Sequence, residues 1–208
     1  MATAVRTSTV AAEPAWGIAQ IFPHQGQWSE EEYLGLTTNH LVEFSHGTIE
    51  VLAMPTRTHQ RLVAYLYQLL SLFVTMCGLG EVFFAPYRVQ LWPGKYREPD
   101  ILFLSNERGE RATEAFAQGA DLVIEVVSPD DPRRDLEIKR REYAQAGIPE
   151  YWIVDPTTAR ITVLTLTGDS VNEFRYDVHG EFGAGEQATS QLLPGFIADV
   201  DAVFAAAS

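Results

Sequence analysis

The sequence predicts one α/β domain with a mixed central β-sheet flanked by α-helices. Three observations carry that expectation. A helix-period apolar stripe over residues 58–77 is followed by compact β-prone runs at 99–104, 122–127 and 151–154. Helical and strand patterns are interspersed along the chain, and short alternating runs add hairpins near both ends. At 208 residues the chain can bury one sizeable core, whereas two would be crowded.

Taken in order, residues 1–16 are small and polar with a lone Arg6 and no apolar signal core, so they read as a disordered N-terminal tail before a single domain at 17–208. Ser29 followed by Glu30, Glu31 and Glu32 has the pattern of a capping box and opens a short helix through about Leu36. Leu41–Ser45 and Thr48–Ala53 flank His46-Gly47, a two-residue turn, and form a hairpin. The longest helix is expected over Thr58–Cys77, with Leu62, Tyr65, Leu66, Leu69, Leu70, Phe73 and Met76 as its buried stripe and Gly78 as its stop. Glu81–Trp92 reads as one long strand ended by Pro93-Gly94. Pro99–Leu104 and Leu122–Val127 are apolar strands, the second continuous enough to be covered on both faces. Between them a charged loop carries a short helix near Ala112–Ala117. A helix over Pro132–Ala146 stops at Gly147, and strands follow at Tyr151–Val154, Arg160–Thr167 and Val171–Tyr176. The stretch Gln187–Phe204 ends in a strand-like piece and a short helix.

Hydrophobic residues make up 46% of the chain and charged residues 21%, the balance of a soluble globular protein. No apolar run approaches the roughly 20 residues that span a bilayer. The single Cys77, read as a small apolar residue late in its helix, excludes an internal disulfide and fits a cytoplasmic location. A net charge of −13 argues against broad electrostatic attraction to nucleic acid. The charge is uneven, since residues 132–147 hold five basic side chains against three acidic ones. As a solvated helix face, that segment would pair Asp135 with Lys139 and Glu137 with Arg141.

Two carboxylates stand out because they lie inside apolar strand patterns: Asp100 in Glu98-Pro99-Asp100-Ile101-Leu102, and Glu125 in Asp121–Pro129. Such groups are costly to bury unless paired or metal-bound. Singly, Asp100 could cap a turn after Pro99, Glu125 could pair with a buried Arg, and Lys139 could be an ordinary helix residue. Together they suggest a site for Mg²⁺, which is held by one or two carboxylates and keeps several waters. No Cys or His spacing suits zinc. Lys139, on the helix after the Glu125 strand, would supply a cation at a phosphodiester.

The hairpin with Glu43 and Gly47, the His59-Gln60 helix start, Glu98-Pro99-Asp100, Leu122–Pro129, Lys139, Tyr143 and Gly147–Asp155 together resemble the Uma2-type family within the PD-(D/E)xK nuclease superfamily. The resemblance covers about Phe22 to Phe204. It implies a restriction-endonuclease-like core with added N- and C-terminal β-hairpins. It further implies that Asp100 and Glu125 bind metal with the Val126 carbonyl as a third ligand, and that Glu43 is an additional acidic site residue for a water or a second metal. Val127 stands where the superfamily places its lysine, and Lys139 takes that role from the next helix. The reading that results is a Mg²⁺- or Mn²⁺-dependent endodeoxyribonuclease with DNA as partner, no membrane association, and a homodimer to cut both strands. Against it stand a nuclease fold kept for binding or regulation without catalysis, which the acidity favours, and a two-carboxylate glycoside hydrolase, which lacks a sugar-stacking aromatic cluster. His59 could face the site or merely begin its helix. His24, His40, His46 and His179 read as loop or turn residues, Tyr143 as core, and Ser128 as a supporting residue at the end of the Glu125 strand.

Overall fold

Ser29 starts the first helix, α1 (Glu30–Leu34), through a complete capping box: its hydroxyl accepts from the Glu32 N–H at 3.1 Å while the Glu32 carboxylate accepts from the Ser29 N–H at 2.8 Å. The computed structural model describes residues 23–38, 40–168 and 174–207, so the tail expected at 1–16 lies outside the described residues. The hairpin follows as β1 (Val42–Ser45) and β2 (Thr48–Val51). His46 and Gly47 at its tip both have positive φ, as a tight hairpin turn demands.

Helix α2 (Arg57–Cys77) is capped by the Thr56 hydroxyl and ends at Gly78 in the left-handed conformation. Its buried seam is Leu62, Leu66, Leu70 and Val74. Met76, expected in the stripe, is 77% exposed, and Cys77 is exposed as well, because the seam drifts past them in the last turn.

The strand expected over Glu81–Trp92 is two strands, β3 (Gly80–Phe84) and β4 (Arg88–Trp92). Pro86 between them has no N–H for a ladder, and the two halves join different sheets. A three-residue strand, β5 (Lys95–Arg97), follows Gly94, and β6 (Ile101–Ser105) follows Pro99. A one-turn helix, α3 (Asn106–Gly109), capped by Ser105, stands before the position expected for a helix. Residues 116–118 form β7 (Phe116–Gln118) instead. Next come β8 (Leu122–Val126), a π-helical segment (Arg134–Lys139) and, continuous with it, α4 (Arg140–Gln145). The chain closes with β9 (Glu150–Asp155), β10 (Arg160–Thr167), β11 (Arg175–Phe182), β12 (Gln187–Thr189), β13 (Ile197–Asp199) and α5 (Val200–Ala205). The strand expected at 171–176 begins outside the described residues, and β11 carries His179 in a strand rather than a turn.

Besides the two-stranded β12-β13 pair there are two larger sheets: the mixed central sheet expected, running β11-β10-β9-β8-β6-β3, and one that takes in the N-terminal hairpin, running β2-β1-β5-β4-β7. Both larger sheets are mixed: β8 and β9 are parallel, with the segment 134–145 between them in the chain, and β4 and β7 are parallel, while the other pairs are antiparallel. The six-stranded sheet is covered on both faces. Ile101, Phe103, Leu122, Ile124 and Val126 face the Leu62–Val74 seam, and Leu102, Leu104, Val123 and Val127 pack with Tyr143, Ala144 and Tyr151. Every residue of β8 is buried, as its continuous apolar run requires. The hairpin sheet has a separate aromatic core of Trp28, Tyr33, Phe44 and Tyr96.

Candidate active site

Strands β6 and β8 pair antiparallel with Ile101 opposite Ile124. One step beyond that pair, the register sets Asp100 opposite Glu125 on one face of the sheet. The Asp100 N–H lies 3.4 Å from Glu125 Oε2, and Asp100 Oδ2 accepts the Val126 N–H at 2.8 Å. Since side chains alternate, Glu125 falls on the face of Val123 and Val127, the side covered by α4.

From that side Lys139 extends its ammonium to 2.9 Å from Glu125 Oε1 and 3.1 Å from Asp135 Oδ1. All three side chains are buried. The Tyr143 hydroxyl donates to Glu125 Oε1 at 2.5 Å, so this core residue also fixes a site carboxylate. From the opposite layer, His59 near the start of α2 brings Nε2 to 3.1 Å from Asp100 Oδ2. Its Nδ1 is buried without a hydrogen bond among the described residues. Asp100, Glu125 and Lys139 therefore converge, with His59 and Asp135 joining them around a cavity of about 230 Å³ that Ser128 also lines.

Charge within the cluster is tightly coupled. Burial pushes the Glu125 carboxyl above its ordinary value; Lys139 pulls it down, and Asp100 and Asp135 add to the rise. Burial alone would lower Lys139, but Glu125, Asp135, Glu43 and Asp100 raise it, so it stays an ammonium. Burial would likewise lower His59, yet its hydrogen bond to Asp100 and the charges of Asp100, Glu125 and Asp135 raise it. Burial lifts Glu98, at the cavity edge, to about 7.

Glu43 stands apart from the expectation. It lies on β1, 1% exposed, and does not line the cavity. Its Oε2 is held by Arg97 and Arg134, and its Oε1 accepts the Glu98 N–H at 3.3 Å. A carboxylate so engaged is turned to guanidinium groups. Burial would raise it, but Lys139, Arg97 and Arg134 hold it at about 2.

Asp135, Arg97 and Arg134 were not read from the sequence as site residues. Asp135 and Lys139 do pair at i,i+4, but inside the fold and not on a solvated face. The local pattern is the same in both cases. Only the packing of the π-helical segment against the Glu125 face separates them.

The donor set suits a hard divalent ion. Asp100 Oδ1 takes no hydrogen bond among the described residues, and Glu125 Oε2 has only the long contact with the Asp100 N–H. No cluster of three or more His, Cys, Asp or Glu among the described residues forms a ready metal cage. Two carboxylates beside an open cavity still meet the modest demand of Mg²⁺.

Comparison with known proteins adds to this geometry. The family model described as "Uma2: Putative restriction endonuclease" matches residues 30–201. A solved structure of a "putative nuclease belonging to DUF820" from Anabaena variabilis ATCC 29413 is similar to this chain with a TM-score of 0.68 at 17% identity, covering 86% of this chain and 98% of that one. At that identity the likeness is one of fold. No curated protein matches.

Proposed function

This chain belongs to the Uma2 family, and from that premise we propose that it is an endonuclease that hydrolyses DNA phosphodiester bonds with a divalent metal ion, Mg²⁺ or Mn²⁺. The observation that carries the reading is the meeting of Asp100, Glu125 and Lys139, far apart in sequence, at one cavity. Asp100 and Glu125 would hold the ion. The Val126 carbonyl would join them, on the strand edge whose N–H already reaches Asp100. When bound, the ion supplies a lowered pKa for an attacking water and positive charge for the leaving oxygen.

The remaining work falls to the chain's own groups. Lys139, kept protonated by its carboxylate neighbours, puts positive charge beside the phosphate as negative charge builds there. Val126 N–H and His59 fix the Asp100 carboxylate, and Tyr143 fixes Glu125. Burial of Lys139 and Glu125 keeps their interaction out of bulk water, where it would be weakened. Cutting both strands of a duplex takes two such sites, which a two-fold homodimer supplies.

The net charge of −13 favours a second reading, a nuclease fold that binds or regulates without cutting. Nicking of supercoiled plasmid separates the two. The endonuclease reading expects nicking in Mg²⁺ or Mn²⁺ that EDTA abolishes. No nicking in either metal, by protein that still binds DNA, would establish the second reading in its place.

A further inference from the structure

The cavity is poor in positive charge. Its lining carries seven Asp or Glu side chains, and its fixed cations are Arg134 and Lys139. Lys139 is 5% exposed and committed to Glu125 and Asp135. With Lys139 assigned to the scissile phosphate, a second backbone phosphate entering this space meets Arg134.

Three features of Arg134 go beyond an ordinary ion pair. Glu43 and Glu50 are register partners across the β1–β2 hairpin. Like charges directly opposite in a hairpin destabilise it unless a cation bridges them. Two cations do so: Arg134 gives one arm to Glu43 and another to Glu50, while Arg97 pairs closely with Glu43 and reaches Glu50 only at 3.9 Å, so Arg134 is the close partner of the exposed carboxylate. The two carboxylates differ in burial, Glu43 being 1% exposed and Glu50 56%. The inner pair cannot be released cheaply, whereas the outer one is wet and screened. Arg134 Nε, moreover, is buried without a hydrogen bond among the described residues, so the two outer arms carry all of its ion pairing.

We propose that Arg134 is a clamp for a backbone phosphate of the nucleic acid, held from behind by Glu43 and covered by Glu50 until a phosphate takes that carboxylate's place. The proposal rests on the DNA reading of the site. Glu50 occupies the outer arm with two anionic oxygens, as a phosphate would, and a planar fork accepts either. Glu43 is then a positioning residue: it acts through Arg134 and touches no substrate.

The test is fluorescence anisotropy of a short fluorescein-labelled DNA duplex, in EDTA and in Ca²⁺, with plasmid nicking in Mg²⁺ measured separately. Glu50→Gln removes the competitor at an exposed position that does not threaten the fold. It is expected to tighten binding about fivefold, the equivalent of one exposed ion pair. Arg134→Lys keeps the charge beside Glu43 but loses the fork, and is expected to weaken binding about tenfold with melting temperature preserved. A purely structural arginine predicts the reverse for Glu50→Gln: unchanged or weaker binding. Unchanged affinity in either variant overturns the clamp, and so does wild-type protein that fails to bind the duplex. Wild-type nicking without these affinity changes overturns the clamp alone and leaves the endonuclease reading intact.

Discussion

A buried carboxylate stays ionised only beside cations, and Glu43 has Lys139, Arg97 and Arg134. Its folded-state value of about 2 lies below the ordinary 4.5, so its contribution to stability is complete above about pH 4.5 and is lost as pH falls toward 2. A displacement of that size is worth roughly 3 kcal/mol. Urea unfolding of Glu43→Gln against wild type should show the deficit at pH 7 and converging stabilities near pH 2. A gap that persists unchanged at low pH would mean that the ion pairs are not its source. Asp100, Glu125 and Lys139 were legible in the sequence because carboxylates inside apolar strands, with a lysine on the next helix, conflict with burial unless they meet. His59 stayed ambiguous, since a helix-start histidine looks the same whether or not it reaches Asp100. Asp135 was hidden by a spacing that also describes a solvated pair, and Arg134 by a basic run that offers no sign of the hairpin it crosses to.

At the scale of elements, what positions the cluster is the seating of β6 between β3 and β8. Gly80 begins β3 opposite Ser105 with φ +150°, and a Cβ there would stand 2.0 Å from the Leu104 carbonyl oxygen. Gly80→Ala must therefore push β3 off β6 or strain the backbone, at a cost of at least about 1–3 kcal/mol. A thermal melt reads the loss, and an unchanged melting temperature would show that β3 is not seated as described. The π-helical segment turns both Asp135 and Lys139 inward, in keeping with the occurrence of such segments at functional sites. Helix α2, the hairpin and β8–β10 were legible because periodicity, caps and turn residues agreed there. The division of Glu81–Trp92 was not, because alternation continues on both sides of Pro86 and only the pairing partners reveal two strands. β5 and β7 are three residues each, too short for any period to register.

For the whole molecule, charge decides how DNA could be approached. With a net charge of −13 and two fixed cations at the cavity, few phosphates can be neutralised. The logarithm of the DNA association constant should fall with log salt at a slope of about −2, at roughly 0.9 per phosphate neutralised. A slope of about −5 or steeper would place binding on a broad basic surface instead. Among the described residues no helix is long and apolar enough to cross a membrane. The α/β class and its mixed central sheet were legible from the order of patterns, but the distribution of the strands among three sheets was not, since it depends on which strands pair across long stretches of chain. The central claim is that Asp100, Glu125 and Lys139 act together on a DNA phosphodiester. The most direct measurement is the rate of plasmid nicking in Mg²⁺ by wild type and by Glu125→Gln, which keeps the shape of the side chain and its place beside Lys139 and Tyr143. We predict a loss of at least about 100-fold with the protein still folded; nicking by Glu125→Gln at the wild-type rate would contradict the account.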